Sequence, residues 1–208
     1  MKFIVDPRVF SILPNACFGI VSAGGIDNTK SYPEISEMLS SAVRSTEERF
    51  AGKKVKEDPL IIPYREAFQK LNINPNKFMS SIEALVTRIS KGKGLPSINP
   101  IVDLVNALSL KYLLPMGAHD IDQMDGDLQV RFSTANDTFL PFGETELEVM
   151  PENELVYVVG THVRTRRWIW RQSEIGKINP NSSNVIFPID GFADVNKEAV
   201  LNAREELA

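Results

Sequence analysis

The side chains that build disulfides and metal centres are nearly absent from this sequence. Cys17 is the single cysteine among 208 residues, and His119 and His162 are the two histidines. A lone cysteine excludes an internal disulfide and is typical of the reducing cytoplasm, which is the expected location. Cys17 lies in an apolar stretch, where a free cysteine acts as a small hydrophobic side chain rather than as a nucleophile.

Long apolar runs are also missing. No stretch approaches the roughly 18 apolar residues that a membrane-spanning helix needs. Asp6, Pro7 and Arg8 interrupt the N-terminal segment, which makes it a poor signal peptide. We therefore expect no association with a membrane.

An excess of positive charge is absent as well. The chain has 23 Lys and Arg against 27 Asp and Glu, a net charge of −4, so no basic field covers the whole molecule. Because phosphate binding depends on the local field, local basic clusters still allow a phosphate-binding face. Such clusters occur in RTRRWIWR and in the KGK loop, and their members are Arg164, Arg166, Arg167, Arg171, Lys91 and Lys93.

The hydrophobic pattern predicts a mixed α/β fold in a single domain of residues 1–208. Short apolar runs predict strands at FIVD and CFGIVSAGGI, and at LQVRF, ELVYVVG, RRWIWRQ and NVIFPID in the last third. Helical spacing predicts helices over residues 33–50, 63–71, 78–90, 100–113 and 194–208. Because helices and strands do not alternate strictly, we expect a core sheet of mixed or antiparallel strands with flanking helices.

The fourth predicted helix carries polar side chains on an otherwise apolar stretch. Asn99 is its expected N-cap, and Asp103 lies in the first turn, where a carboxylate faces the positive end of the helix dipole. Asn106 shares the helix face of Asp103. Pro115 then breaks the stretch, and residues 116–120 are either a simple turn or a segment held against the helix end.

The segment RTRRWIWRQ mixes arginines with two tryptophans. As a continuous strand it would turn both tryptophans to one face with Arg166, and Arg167 and Arg171 to the other. Aromatic rings interleaved with arginines stack on bases and contact phosphates. The alternative is that the tryptophans belong to the core and the arginines form a solvated edge, and composition does not choose between the two.

Two clusters of polar residues are candidate sites. His119, Asp120 and Asp122 contain metal-binding groups, but their spacing matches no standard site, so no metal is expected. Asn106, His119 and the GTH of residues 160–162 could instead line one cleft, in which amide and main-chain donors orient a carbonyl or a water. Each group, taken singly, is also explained as a hydrogen-bonded structural residue.

A longer pattern connects these residues. The stretch INPIVDLVNALSLKYLLPMGAHDID, continued by MDGDLQVR, TFLPFGETE, VYVVGTH and NVIFPIDGF, resembles the third and fourth domains of the bacterial phenylalanyl-tRNA synthetase beta subunit. The likeness covers roughly residues 60–192. In the synthetase these domains form the editing site that hydrolyses tyrosine mischarged onto the phenylalanine tRNA. The resemblance therefore implies that fold and the hydrolysis of an aminoacyl ester, with no cofactor.

Several residues match the motif of that family one by one. Asn106 corresponds to an asparagine that lines the editing pocket, Asp103 to the aspartate of its helix, and Gly160 to a pocket glycine. Gly117 stands where the family has a histidine that recognises the tyrosine side chain, and Pro188 where it has a glutamate that reads the tyrosyl hydroxyl. These two differences argue against tyrosine as the substrate.

The resemblance thus predicts a free-standing trans-editing deacylase. The expected catalytic residues are Asn106, His119, Gly160 and Thr161: the main chain of residues 160–161 would hold the carbonyl, and His119 would orient the water. In this interpretation the break at Pro115 makes residues 116–120 one wall of a pocket beside Asn106. The residues expected to bind the substrate are Asp103, Met116, Gly117, Asp120, His162, Pro188 and Asp190.

The resemblance also suggests substrates. Some free-standing relatives remove the arginine analogue canavanine from arginine tRNA, and Asp120, Asp122 or Asp190 could pair with its guanidinium group. The tRNA acceptor end would contact the arginine segment and the loop of residues 91–93.

Two other functions stay open. One is a non-catalytic module that binds tRNA or an aminoacyl ligand, and the other is a small-molecule enzyme that keeps the fold without RNA. The arginine segment separates them: a tRNA-binding function needs the arginines exposed on the side of the pocket mouth. If they pair with carboxylates instead, the small-molecule function gains. The arginines concerned are Arg164, Arg166, Arg167 and Arg171.

Overall fold

A computed structural model describes residues 1–208 and contains ten strands and six α-helices. The strands are β1 (Phe3–Val5), β2 (Ala16–Ala23), β3 (His119–Asp120), β4 (Leu128–Phe132), β5 (Thr138–Phe139), β6 (Glu148–Val149), β7 (Leu155–Val159), β8 (His162–Arg166), β9 (Arg171–Gln172) and β10 (Val185–Phe192). The helices are α1 (Pro7–Ile12), α2 (Pro33–Phe50), α3 (Ile62–Lys70), α4 (Ser81–Ser90), α5 (Pro100–Tyr112) and α6 (Lys197–Leu207). The predicted mixed α/β class is confirmed.

The strands form two sheets. The larger sheet has the order β1-β4-β7-β8-β5-β6, with β9 paired to β8, and the smaller has the order β2-β10-β3. In the larger sheet β1/β4 and β5/β8 are parallel and the other pairs are antiparallel, whereas the smaller sheet is wholly antiparallel. The predicted core of mixed and antiparallel strands is therefore confirmed, divided over two sheets.

All five predicted helices are present, and their caps explain their bounds. The Asn99 side chain accepts a hydrogen bond of 3.1 Å from the Val102 main chain and begins α5, which ends where Leu113 adopts a left-handed φ of 53°. Helix α4 begins three residues later than the pattern predicts, because Ser80 is its N-cap and accepts a hydrogen bond from the main chain of Glu83. No helix of the structure combines the length and apolarity needed to cross a membrane.

The prediction of a continuous strand through RRWIWRQ is wrong. Strand β8 ends at Arg166, and the next two residues, Arg167 and Trp168, adopt positive φ angles of 47° and 59°. The chain turns there and returns as β9, which pairs with the end of β8. The Trp168 side chain is fully buried in the core, and its burial holds a backbone conformation that side chains rarely adopt. The predicted alternation of faces is therefore lost.

The main hydrophobic core surrounds the C-terminal half of β10. Tyr64 of α3 contacts the rings of Trp168 and Phe192, with ring centres 6.5 Å and 5.2 Å away, and every residue of β10 is buried. Trp168 and Phe192 meet edge to face at 5.9 Å. These aromatic contacts anchor the end of β10 at Phe192 in the core.

Candidate ligand-binding cavity

A cavity of about 100 Å³ opens where the two sheets meet. The larger sheet contributes side chains from β7, β8 and β9, and the smaller sheet contributes side chains from β3 and β10. The remaining walls come from the segment after α5, the turn after β8 and the first residue of α4. The lining residues are Ser81, Pro115, Met116, Gly117, His119, Tyr157, Thr165, Trp168, Ile169, Trp170, Arg171, Gln172, Pro188 and Asp190.

Asp190 of β10 is the buried carboxylate of this cavity, with 2% of its surface exposed. Its Oδ1 accepts two hydrogen bonds, one of 2.7 Å from the Tyr157 hydroxyl and one of 2.6 Å from Trp168 Nε1. Its main-chain carbonyl accepts a third, of 2.9 Å, from the Tyr64 hydroxyl, which in turn accepts one from Asn196. Both the backbone and one carboxylate oxygen are therefore held in place, while no side-chain donor contacts Oδ2.

No cationic side chain of the protein pairs with Asp190. Burial raises the pKa of its carboxyl from 3.8 to about 7, against the two hydrogen bonds to Tyr157 and Trp168, which lower it. Burial therefore favours the neutral carboxyl, whereas a positive charge placed beside it would favour the ionised form. A buried carboxylate without a cation is unfavourable unless a ligand supplies the positive charge.

His119 of β3 forms the facing wall and is buried to 2% exposure. Its ring stacks on Tyr157, with ring centres 6.0 Å apart and planes at 29°. Burial, helped by the charge of Arg164, lowers the pKa of His119 from 6.5 to about 3, so the imidazole is neutral at physiological pH. Its Nδ1 is buried without a hydrogen-bond partner in the protein, which is rare in folded proteins.

Gly117 and Pro188 set the width of the cavity between these two groups. The Gly117 main chain donates a hydrogen bond of 2.9 Å to the Pro188 carbonyl, which fixes the segment after α5 against β10. A Cβ at Gly117 would lie 3.4 Å from Pro188 Cγ and 3.6 Å from His119 Nε2. A side chain larger than methyl would therefore fill the space beside the imidazole.

Two further polar groups line the walls. Gln172 donates from Nε2 to the Ala118 carbonyl at 2.9 Å, which leaves its amide oxygen free. The Thr165 hydroxyl makes no hydrogen bond within the protein. The cavity thus combines a neutral imidazole, a free hydroxyl and a carboxyl group with the aromatic side chains of Tyr157, Trp168 and Trp170.

Six of the residues predicted for the site line this cavity. They are Met116, Gly117, His119, Pro188, Asp190 and Arg171. Of the three aspartates considered for a guanidinium, Asp190 alone lines it. Asp120 is the N-cap of a short 3₁₀ turn and accepts hydrogen bonds from Gln123 and Ser182, and Asp122 accepts from Asn184.

The segment of residues 116–118 packs against α5, with Met116 and Ala118 beside Ile101 and Val105, but Asn106 does not line this cavity. Asn106 lies half-buried in the middle of α5 and contributes nothing to the cavity lining. Asp103 of the same helix is also outside, and its carboxylate is occupied by Ser97 Oγ and the Ile98 main chain. The lining begins at Pro115, two residues after Leu113 ends α5, where Met116 forms an antiparallel bridge with Ile189 of β10.

The GTH segment is also remote from the cavity. Gly160 and Thr161 are exposed in the tight turn between β7 and β8, and the Gly160 carbonyl accepts a hydrogen bond of 3.0 Å from Arg131. His162 begins β8 and its Nδ1 lies 3.3 Å from the Thr138 hydroxyl. The cavity lies at the other end of β8, near Thr165, and the expected cluster with His119 is therefore absent.

The arginine segment is used mostly inside the protein. Arg164 is 2% exposed and donates to the Gln123 carbonyl at 2.8 Å. Arg166 pairs with Glu154 at 2.9 Å and Glu148 at 3.0 Å. Arg167 pairs with the same Glu154 at 3.4 Å. These three arginines therefore do not meet the condition that a tRNA-binding function sets for the segment, which is exposure on the side of the pocket mouth.

Two more basic groups were predicted to contact tRNA beside the pocket. Lys91 and Lys93 are exposed after the end of α4, whereas the cavity contacts the first residue of that helix, Ser81. A helix rises 1.5 Å per residue, so about 15 Å separates the two ends. Arg171 is the one member of the predicted basic set that is both exposed and at the cavity.

Sequence reasoning missed four lining residues that matter chemically: Tyr157, Thr165, Trp168 and Gln172. Tyr157 lies in a wholly apolar strand and shows no sign of a buried acceptor for its hydroxyl. A buried tryptophan usually needs a hydrogen-bond acceptor for its indole N–H. The acceptor of Trp168 is Asp190, which the predicted continuous strand did not indicate. No group of three or more His, Cys, Asp and Glu side chains suited to a metal ion occurs in the structure.

Comparisons with known proteins give the family of the chain. The model of the B3/4 domain family matches residues 63–207, which include every residue of the cavity, and the chain belongs to this family. A segment of 73 residues is 33% identical to the phenylalanine–tRNA ligase beta subunit of Chromobacterium violaceum. That segment is 35% of this chain and 9% of the ligase subunit, so the chain spans a small part of that relative.

A solved structure is also similar. An N-terminal fragment of the phenylalanyl-tRNA synthetase beta subunit from Pyrococcus horikoshii aligns with 99% of this chain and 47% of its own length, at 11% identity and a TM-score of 0.47. By its family, the chain is a phenylalanyl-tRNA synthetase beta-like, translation-related domain.

Proposed function

We propose that this protein is a cytoplasmic trans-editing deacylase that hydrolyses an aminoacyl-tRNA ester with a cationic side chain. The observation that carries the proposal is Asp190, a buried carboxylate at the base of the cavity that no cation of the protein neutralises. A guanidinium or ammonium group of the substrate would supply the missing charge and form a strong charge-assisted hydrogen bond with Oδ2.

Because Asp190 is buried, the proposal pairs it with the amino-acid side chain rather than with the α-amino group. Asp190 is held from behind by core residues Tyr157 and Trp168, whereas Arg171 is exposed at the opening. The ester joins the amino acid to the RNA, so it and the neighbouring α-amino group stay near the opening. The side chain then extends towards Asp190.

The reaction itself requires positioning more than acid–base strength. A water oxygen attacks the ester carbonyl, the bond to the ribose oxygen breaks, and a proton from the water ends on that ribose hydroxyl. An imidazole with a pKa of about 3 is a weak base, so His119 would orient the water by hydrogen bonding. The free Thr165 hydroxyl is the second group able to contact the carbonyl or the water.

A small-molecule enzyme is the second candidate, and the arginine segment favours it. Arg164, Arg166 and Arg167 are buried or paired with carboxylates, which is the arrangement expected if RNA is not bound through them. The non-catalytic binding module stays a third candidate. Asp190, which pairs with no cation of the protein, and His119, whose Nδ1 has no hydrogen-bond partner, would also suit a site that only binds.

Deacylation of a panel of charged tRNAs separates these functions. The panel pairs canavanyl-, arginyl- and lysyl-tRNA with phenylalanyl- and tyrosyl-tRNA, and compares wild type with His119→Gln and Asn106→Ala. The deacylase function predicts hydrolysis of a cationic ester, lost in His119→Gln and kept in Asn106→Ala, which alters a residue outside the cavity. If the protein binds the charged tRNA without hydrolysing it, the binding module replaces the deacylase function. If the protein neither binds nor hydrolyses any charged tRNA, the small-molecule enzyme is favoured.

A further inference from the structure

One surface at the cavity opening takes no part in the deacylase chemistry described above. It consists of Lys77, Phe78, Trp170 and Arg171, which we call the rim. Phe78 and Trp170 have ring centres 4.9 Å apart with planes at 74°. Trp170 and Arg171 both line the cavity, and the main chain of Ser81, just after this segment, is hydrogen bonded to the turn at Ile169 over 2.8 Å.

A cationic side chain that forms no ion pair lies near each of the two rings. Lys77 Nζ lies 5.3 Å from the centre of the Phe78 ring, and Arg171 Cζ lies 6.0 Å from the centre of the Trp170 ring. Both side chains belong to exposed residues, and neither forms an ion pair within the protein. They differ in this from Arg166 and Arg167, whose charges are met by Glu154.

Arg167 connects the two rings of the rim. Its guanidinium carbon lies 3.8 Å from the centre of the Phe78 ring and 4.5 Å from that of Trp170, so it contacts both rings. Glu154 holds this guanidinium at 3.4 Å. The left-handed backbone of Arg167 and Trp168 directs Trp170 to the opening instead of along a strand.

We propose that the rim binds the single-stranded 3′ end of an RNA, with a base stacked on the Phe78–Trp170 pair and the flanking phosphates at Lys77 and Arg171. Stacking on an aromatic ring combined with nearby cations is how proteins bind unpaired nucleotides without reading their sequence. The proposal rests on the deacylase function, because it keeps Arg171 of the predicted basic set as a tRNA contact and replaces Arg164, Arg166, Arg167 and residues 91–93 by the other members of the rim.

Binding of uncharged RNA tests the rim independently of catalysis. The probe is a fluorescently labelled hairpin with a four-nucleotide single-stranded 3′ end, compared with the same hairpin ending in a blunt duplex. Wild type should bind the first at least tenfold more tightly than the second. The double variant Lys77→Gln/Arg171→Gln should bind about tenfold or more weakly, and its salt dependence should fall by about 0.7 in log–log slope for each phosphate that is no longer neutralised.

Two matched variants keep the result interpretable. Trp170→Leu should lower affinity by about tenfold because stacking is removed, with little change in the salt slope. Arg166→Gln, which removes an arginine of the same segment that is already paired, should bind like wild type. Thermal melting of each variant confirms folding, and the double variant changes only exposed side chains.

The outcomes separate this proposal from the deacylase function. Equal binding of both hairpins, or an Arg166→Gln loss as large as that of the double variant, would overturn the rim. Hydrolysis of charged tRNA with KM unchanged in the double variant would also overturn it, while the deacylase function stands. Rim-dependent RNA binding with no hydrolysis of any ester would support the rim and contradict the deacylase function.

Discussion

The base and the opening of the cavity differ in charge and in exposure to water: the base has a buried acidic group, and the opening has exposed cationic groups. At the base, Asp190 is a negative group from which water is nearly excluded, and hydrogen bonds from Tyr157 and Trp168 hold it without neutralising it. At the opening, Lys77 and Arg171 are positive groups in solvent, with no carboxylate paired to them. Under the proposed functions of the two regions, the base selects the amino acid and the rim binds the RNA.

Substitution of Asp190 should have the largest effect, and it should act on the base alone. Asp190→Asn keeps an oxygen for Tyr157 and Trp168 but removes the charge, so we expect about 100-fold weaker binding of L-arginine amide, as for a buried ion pair that loses one partner. Citrulline amide, which has nearly the same shape without the charge, should bind wild type and variant alike. Calorimetric titration measures both.

If both ligands instead lose affinity equally in Asp190→Asn, the carboxylate contacts the α-amino group that they share. The assignment of Asp190 to the side chain would then be wrong, although the cavity would still be a binding site.

The free energy of unfolding should also depend on pH through Asp190 and His119. Folding raises the pKa of Asp190 from 3.8 to about 7, so its contribution to stability is present below pH 4 and is lost as the pH rises to about 7. His119 acts in the opposite sense, because its folded pKa of about 3 makes its contribution present above pH 6.5 and lost as the pH falls. In wild type the two slopes largely cancel.

Asp190→Asn removes the contribution of Asp190 to the pH dependence of the unfolding free energy and leaves that of His119. Its free energy of unfolding relative to wild type should rise between pH 4 and pH 7 by up to about 4 kcal/mol. Urea denaturation at pH 4.5, 6 and 7.5 measures this difference, and a difference that is constant with pH would contradict the burial of an ionising Asp190.

Trp168→Phe tests how the base is held. The change removes the 2.6 Å hydrogen bond to Asp190 while keeping most of the buried aromatic surface, and we expect it to lower the free energy of unfolding by about 1–3 kcal/mol. It should also raise the pKa of Asp190 further, because that hydrogen bond favours the ionised form. Tyr157→Phe removes the other bond to the same oxygen and is the matched comparison by urea denaturation.

The smallest effect is expected for Asn106→Ala. Asn106 lies outside the cavity and makes no side-chain hydrogen bond in the structure, so catalysis and ligand binding should change less than about twofold. A loss of hydrolysis of tenfold or more in steady-state assays would return Asn106 to the active site that its family motif implies.

Most of the fold was predictable because its signals are local. The caps at Asn99 and Ser80 and the apolar runs of β4, β7 and β10 follow from residues close in the chain. The cavity was predictable where the family motif passes through it, at residues 116–119 and 188–190, and at Arg171 of the arginine segment. Tyr157 and Trp168 were missed because their hydroxyl and indole N–H meet Asp190 across the two sheets, at separations of 33 and 22 residues that no local pattern encodes.

The error at RRWIWRQ shows why composition misled. A strand period fits the letters, yet Trp168 gains more by entering the core beside Tyr64 and Phe192 than by alternating along a sheet edge. That choice buries Trp168, pairs Arg166 and Arg167 with Glu154, and leaves Arg171 at the opening. The arginines therefore differ in role although they are neighbours in sequence.

The division of labour between base and rim is tested by one ratio, that of kcat/KM for canavanyl-tRNA to kcat/KM for tyrosyl-tRNA, measured in wild type, Asp190→Asn and Lys77→Gln/Arg171→Gln. We expect the ratio to fall about 100-fold in Asp190→Asn and to stay within about twofold of wild type in the rim variant, whose rates for both esters fall together. A ratio unchanged in Asp190→Asn, or one that collapses in the rim variant, would contradict this division.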